Sequence, residues 1–393
     1  MGTSAAPDPQ DLATFLASHG GPFYELQARL RLLHEQSLRV RSRAVIFVAI
    51  AWGVPFLLGL PASLSLQSGS YLTDLSVWTR FFLAIAAFIL AEEQVEQGLR
   101  NRLEQFVRAP LLTPESLPTA AAAVSAALKN RDSPLAEMIA FLLAAGAAVS
   151  SFLLMKSADV SSWAVVQSAT ANELTASGWW SVWVSLPICY FLMFRGLWRH
   201  YVWARLLRRI ARLDLRLVAT HPDGKGGLGF LAEYPNAYMF FVFGMSSLVA
   251  AALGKNFIHG TVSIAVFGTV MGGWLAIVIV LFALALSAFS PPLAKLKQRT
   301  LLGLAAEATR YHRSVERKQL GRNIVAQGED EIDDGLTDPT KLFETARKLS
   351  SVLVSRAAIV PVAAAALVPF AVTGVAWLPL KEVVDLMKKL LLV

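Results

Sequence analysis

The segment VSIAVFGTVMGGWLAIVIVLFALALSAF (residues 262–289) is 28 residues long and carries no charge. As a helix it would reach about 42 Å, more than the ~30 Å hydrocarbon core of a bilayer. A run of that length and composition is expected to cross a membrane, and it sets how the rest of the chain is read. Downstream, Pro291 and Pro292 close it and a charged segment, 295–356, follows. Upstream lie five more apolar stretches, 44–60, 77–93, 135–155, 179–198 and 237–253, and a last one, 357–380, comes after the charged segment.

The chain therefore reads as all-α, a polytopic integral membrane protein with six transmembrane helices, a seventh stretch of less certain kind, and a helical cytoplasmic layer. In that seventh stretch Pro361, Pro369, Gly374 and Pro379 leave two alternatives. It is either one passage or a hairpin that re-enters, which protein or a water-filled cavity would have to cover. An amphipathic tail, 381–393, completes the chain. The expected organisation is an N-terminal segment (1–43), three transmembrane hairpins (44–96, 135–198, 237–290), three cytoplasmic segments (97–134, 199–236, 291–356) and the C-terminal part (357–393).

Composition agrees with this reading. Of 393 residues 55% are hydrophobic and 16% charged, against about 25% charged in soluble domains. A cytosolic enzyme, a disordered chain and a disulfide scaffold are excluded; the single cysteine, Cys189, has no partner for an internal bridge. Met1 to Gln27 has no charged n-region feeding an apolar core, so no secretory signal is expected there.

The net charge is +8. In a soluble protein that would suggest nucleic acid. Here 30 of the 36 Lys and Arg residues fall in four segments on one side of the expected spans. This is the positive-inside pattern, so no nucleic-acid partner is expected and the amino terminus is placed in the cytoplasm of a plasma or inner membrane.

Three groups of residues are candidates for chemistry. Arg205, Arg208, Arg209, Arg212 and Arg216 recur at helical spacing opposite Leu206, Ile210, Leu213 and Leu217. They are expected to form a basic helix that meets anionic lipid headgroups or lines a vestibule. Lys225 belongs to the same set. The following loop, THPDGKGGLGF (220–230), satisfies G-x-G-x-x-G at Gly224, Gly226 and Gly229, but no strand precedes it, so the dinucleotide condition fails. It reads as a tight turn capped by Asp223, or as an anion-binding concavity of backbone amides involving His221, Asp223, Gly226, Gly227 and Gly229. The third group is the intramembrane charges Arg80, Glu92 and Glu93, with Glu137, all near span ends and expected at the membrane interface. Arg80 could reach Asp74, although six residues separate them.

The acidic run 329–335 fails the EF-hand pattern, because Ile332 and Lys341 stand where ligands are required. No metal site and no cofactor are expected from the six histidines. Gly268 and Gly272 form G-x-x-x-G and, with Ala144 and Gly146 to Ala148, favour close helix contacts within or between subunits. The expected partners are the bilayer, its anionic headgroups, further copies of the chain and a cytoplasmic protein. The expected function is a homo-oligomeric channel with a basic cytoplasmic vestibule, favoured by an apparent lack of buried charge. A membrane scaffold and a secondary carrier are the alternatives.

Overall fold

The computed structural model describes residues 15–33, 38–60, 70–156, 163–167, 172–258, 263–325, 335–375 and 379–391. Eleven helices occur among them. They are α1 (Pro22–Arg29), α2 (Val40–Leu58), α3 (Leu75–Arg108), α4 (Leu117–Arg131), α5 (Pro134–Lys156) and α6 (Ala176–Ile210). After these come α7 (Met239–Ile258), entered through a 3₁₀ segment Gly229–Tyr238, then α8 (Ile264–Leu320), α9 (Thr340–Arg347), α10 (Arg356–Val375) and α11 (Leu380–Leu391). Seven helices, built on α2, α3, α5, α6, α7, α8 and α10, are long and apolar enough to cross a membrane. Each contains or overlaps one of the expected stretches. The acidic run lies outside the described residues except for Gly335.

Three of these helices continue well beyond their apolar stretches into the segments where Lys and Arg concentrate. Helix α3 runs on to Arg108, α6 to Ile210, and α8 to Leu320 over 57 residues. Their buried stripes explain the continuation. On α3 the residues Phe81, Ile85, Phe88, Val95, Leu99, Leu103 and Phe106 are all buried, at helical spacing from the apolar core into the charged layer. Helix α5 is peripheral. Its buried residues include Ala136, Ala140, Ala144 and Ala148, a row of small side chains packed against α6.

One departure from the all-α expectation lies between α5 and α6. Strands β1 (Val165–Gln167) and β2 (Asn172–Leu174) pair antiparallel, Val165 opposite Leu174 and Val166 opposite Glu173. The β-branched pair Val165-Val166 favours extended backbone. Thr175 N–H then donates to Ala164 O at 3.0 Å, and its hydroxyl accepts from Gly178 N to start α6.

At the opposite end from the charged layer, α2, α3 and α6 each contain a π turn, at Ala49–Gly53, Trp78–Ala84 and Ser181–Ser185. Proline supplies one cause. Pro55 has no N–H for the Ala51 carbonyl, and the Ser185 hydroxyl donates to it instead at 2.7 Å. The Val54 N–H goes to Ala49 O, leaving Ile50 O to accept from Trp180 Nε1 at 3.0 Å. Ser177 donates to Pro55 O and Tyr71 to Trp52 O, both at 2.7 Å. The carbonyls of Ala51 and Ile50, left open by Pro55 and the π turn, thus become part of the joint between helices.

Up to Val375 the last apolar stretch is one continuous helix, α10, passing through Pro361 and Pro369. The tail then turns back. A methyl built on Gly374 near the end of α10 would stand 3.2 Å from Val383, one on Gly268 of α8 3.2 Å from Leu386, and one on Gly272 3.5 Å from Leu390. Gly268 and Gly272 are about 6 Å apart along their helix, so α11 runs beside the start of α8 in the same direction. The G-x-x-x-G face is therefore occupied by the chain's own tail. Lys381, Glu382, Asp385, Lys388 and Lys389 point away from it and are exposed. Filling this groove with Gly268→Leu should undock the tail. Overpacking of ~1–3 kcal/mol corresponds to a loss of amide protection of roughly 5- to 150-fold in 380–391 by hydrogen exchange, with α10 unchanged. Unaltered protection of the tail would mean that the glycine groove does not hold it.

Candidate functional site

Glu92 sits on the buried stripe of α3, between Phe88 and Val95, and Glu93 one step round the helix is exposed. That register decides their fates. Glu92 Oε2 accepts from Arg43 Nη1 of α2 at 2.7 Å, and Oε1 accepts from Arg195 Nη1 of α6 at 2.8 Å, with Arg199 Nη1 at 3.7 Å. Arg195 Nε continues to Glu137 Oε1 of α5 at 2.8 Å. Arg43, Glu137, Arg195 and Arg199 are all buried, from 1% to 9% exposed. The apparent lack of buried charge is corrected: Glu92 and Glu137 face inwards among the helices, each paired with buried arginine. Glu93 is exposed and takes a hydrogen bond from Gln97 at 3.3 Å.

The N-terminal segment closes this network. Arg199 Nη2 donates to Ser18 O at 3.0 Å and Gly20 O at 3.5 Å, while Phe23 N–H donates to Glu137 Oε2 at 2.7 Å. Gln27 Oε1 accepts from Arg43 Nε at 2.6 Å. His19 Nδ1 and Ser18 N–H both meet Glu96 Oε2, at 2.7 and 3.0 Å, and Arg131 donates to Leu16 O. The Arg195 guanidinium also stands 5.1 Å above the Phe23 ring. The path of this segment needs Gly20 and Gly21, at φ 81° and 87°. A side chain at Gly21 would reach the Glu137 carboxylate at 2.7 Å.

A buried ion network persists only when its charges satisfy one another, since each ion carries a desolvation penalty of several kcal/mol. Three arginines face two carboxylates here, and the carbonyls of Ser18 and Gly20 soften the remaining positive charge. Next to it, His200 is buried among Tyr234, Tyr238 and Phe282, with Nε2 3.3 Å from Leu281 O. His200 Nδ1, Tyr238 OH and Trp203 Nε1 have no hydrogen-bond partner among the described residues.

Arg80 lies in the π turn of α3, remote from this network. Its Nε is buried without a hydrogen-bond partner among the described residues. Asp74 does not pair with it: that carboxylate accepts from Ser76 N at 2.8 Å, Ser76 Oγ at 2.6 Å and Trp163 Nε1 at 2.9 Å. The six-residue spacing puts the two side chains on different sides of the turn.

The basic group differs from the helix expected of it. Arg205, Arg208 and Arg209 lie on the last turns of α6, the continuation of a span, and Arg212 and Arg216 lie beyond its end at Ile210. Leu206 and Ile210, assigned to a lipid-facing side, are buried at 1% in the protein. Arg216 N–H donates to Leu111 O at 2.8 Å, next to a bridge between Leu112 and Leu215. Arg205, Arg208, Arg212 and Arg216 are exposed and Arg209 half-buried, and none of the five has an acidic partner within 4.0 Å among the described residues.

The glycine loop is held by its own carboxylate. Asp223 accepts from the N–H groups of Lys225 and Gly229 at 2.8 Å and of Gly227 at 3.1 Å, and its Oδ1 is 2.8 Å from His221 Nδ1. The concavity of amides is therefore filled from within. Gly224, Gly226 and Gly227 have φ of 61°, 68° and 96°. Burial would raise the Asp223 pKa, but the backbone donors and His221 outweigh it and hold the group below its ordinary range. Burial also lowers the Lys225 pKa, against the pull of Asp223 and Glu233. The loop ties distant segments together: Ser350 N–H donates to Gly224 O at 2.9 Å, Val218 N–H to Gly226 O at 3.3 Å, and Gly227 rests against Leu111.

No group of three or more His, Cys, Asp or Glu side chains placed to hold a metal occurs among the described residues. The residues that sequence reasoning missed are Arg43, Arg195 and Arg199, counted among the cytoplasmic cations, and the segment from Ser18 to Gln27. A signal was present: Arg195 and Arg199 fall on the same α6 stripe as Cys189, Leu192, Trp203 and Leu206. Compared with known proteins, the chain matches no family model, and neither a curated protein nor a solved structure shows significant similarity to it.

Proposed function

We propose that the chain forms a homo-oligomeric channel of the cytoplasmic membrane, with its amino terminus and charged layer in the cytoplasm and a basic vestibule that attracts anions. The observation that carries this reading is the set of five arginines at and just beyond the end of α6, none with an acidic partner among the described residues. Like charges clustered on one surface create a field that concentrates counter-ions, and symmetry would repeat the cluster around an axis. The ion network fills the space between α2, α3, α5 and α6 inside one protomer, so the conducting path belongs between copies. The exposed polar face of α11, set beside the start of a span, adds a surface that water or a neighbouring subunit would cover.

The test is purified protein in planar bilayers under a KCl gradient, with native mass measured in parallel. The expected result is an oligomer of three or more copies with a reversal potential favouring chloride, shifted towards zero selectivity in R205Q/R209Q/R212Q. A monomer, or a well-folded protein silent across voltage and pH, would overturn the reading. A membrane scaffold is the second reading, favoured by α8. Beyond Leu293 no residue of that helix is buried, and Leu302, Leu320, Ile324 and Val325 are 60% to 74% exposed. It predicts the silent outcome of the same experiment.

A further inference from the structure

A narrow crevice of about 400 Å³, including its open mouth, lies between α3, α6 and the 3₁₀ entry to α7. Its walls are mainly apolar, from Phe88, Val95, Leu192 and Phe241, and its polar groups come from Ser18, Glu92, Arg195, Arg199 and Tyr238. Two of these groups are underused. Arg199 is 9% exposed, has its nearest carboxylate oxygen at 3.7 Å and otherwise meets two backbone carbonyls. Tyr238 is 2% exposed and its hydroxyl has no partner among the described residues.

Arg43, Arg195 and Arg199 face Glu92 and Glu137, both oxygens of each carboxylate are already engaged, and Glu96, one turn further on, is held by His19 Nδ1 and the Ser18 N–H. Arg199 is thus left without a carboxylate oxygen at hydrogen-bond distance, and Tyr238, whose hydroxyl has no partner among the described residues, lines the same crevice. We propose that this crevice binds a single monovalent anion of halide size, held by the Arg199 guanidinium and the Tyr238 hydroxyl. The apolar walls favour anions that give up water readily, bromide and iodide over fluoride or sulfate. Glu92 does not repel such an ion outright, because two arginines neutralise it at 2.7 and 2.8 Å. The site is a property of one protomer and stands apart from the channel reading.

The probe is bromide, titrated against gluconate at constant ionic strength, with the thermal unfolding midpoint of the full chain in nanodiscs as readout. Wild type should be stabilised saturably by bromide. Tyr238→Phe removes a hydroxyl that holds nothing in the empty protein, so its bromide-free midpoint should equal wild type. Its half-saturating bromide concentration should rise about tenfold or more, the loss of one hydrogen bond to a charged partner. Tyr238→Phe keeps the test decisive even where Arg199→Gln fails to fold. A wild-type protein without saturable bromide dependence, or a Tyr238→Phe titration superimposable on it, would overturn the proposal. Conductance is not read, so a silent protein that binds bromide removes the channel and leaves this site.

Discussion

Glu92→Gln is expected to leave little correctly folded protein after extraction, while Glu93→Gln next to it behaves as wild type. The side chains differ by one step round α3. Glu92 is the acceptor for Arg43 and Arg195, with Arg199 close by. Glutamine offers one acceptor and turns an amide N–H₂ towards guanidinium donors, so three buried cations would then share Glu137 and a few carbonyls. Breaking a buried ion pair from one side costs roughly 3–5 kcal/mol. In size-exclusion profiles of heated samples this should appear as a fall of roughly 5–10 °C in the midpoint. Glu93 is exposed, with one long hydrogen bond to Gln97, and its replacement should stay within ~0.5 kcal/mol. Equal behaviour of the two variants would show that the network does not hold the bundle together. A carrier that uses a free carboxylate at this level would also be hard to reconcile with the loss of fold in Glu92→Gln.

The second large effect is expected from Asp223→Ala. The substitution removes the acceptor for the N–H groups of Lys225, Gly227 and Gly229 and the partner of His221. The loop is partly solvated, so water recovers some of the loss, and about 2–3 kcal/mol is expected overall. Hydrogen exchange should rise in the loop and in the segments docked on it, 109–116 and 346–354, with little change in the spans. The pH dependence follows from the lowered pKa of Asp223. A carboxylate depressed in the folded state adds stability that is complete above its unfolded pKa and lost as pH falls through the folded value. Wild type and D223A should therefore differ fully at neutral pH and converge in the acid range below about pH 4. A difference that persists unchanged into that range would mean that the ionised carboxylate is not what the loop requires.

The seven long apolar helices were legible in the sequence because each rests on local composition. A run such as 262–289 has to bury its backbone polar groups in its own hydrogen bonds when it enters hydrocarbon, whatever its neighbours are. The strand pair between α5 and α6 was less legible, since it depends on two segments meeting across a loop. The π turns were also out of reach. Pro55 announces a lost donor, but the groups that accommodate it, Ser185 and Trp180, lie 130 residues away.

For the candidate site the division is sharper. Sequence alone identified the charges in and near the spans, the basic residues after Trp203 and the capping role open to Asp223. Counting cations by segment, it did not see that Arg43, Arg195, Arg199 and Glu92 face one another inside the bundle, because hydropathy averages over a helix and ignores which face a residue occupies. The buried stripe on α3 and its counterpart on α6 place those charges inwards, where opposite charges on four spans and the carbonyls of Ser18 and Gly20 meet them. An ion inside a bundle is stable only through partners brought from elsewhere in the chain, so its position was a decision of the tertiary structure. A span's existence needs no partner, and the sequence determined it by itself.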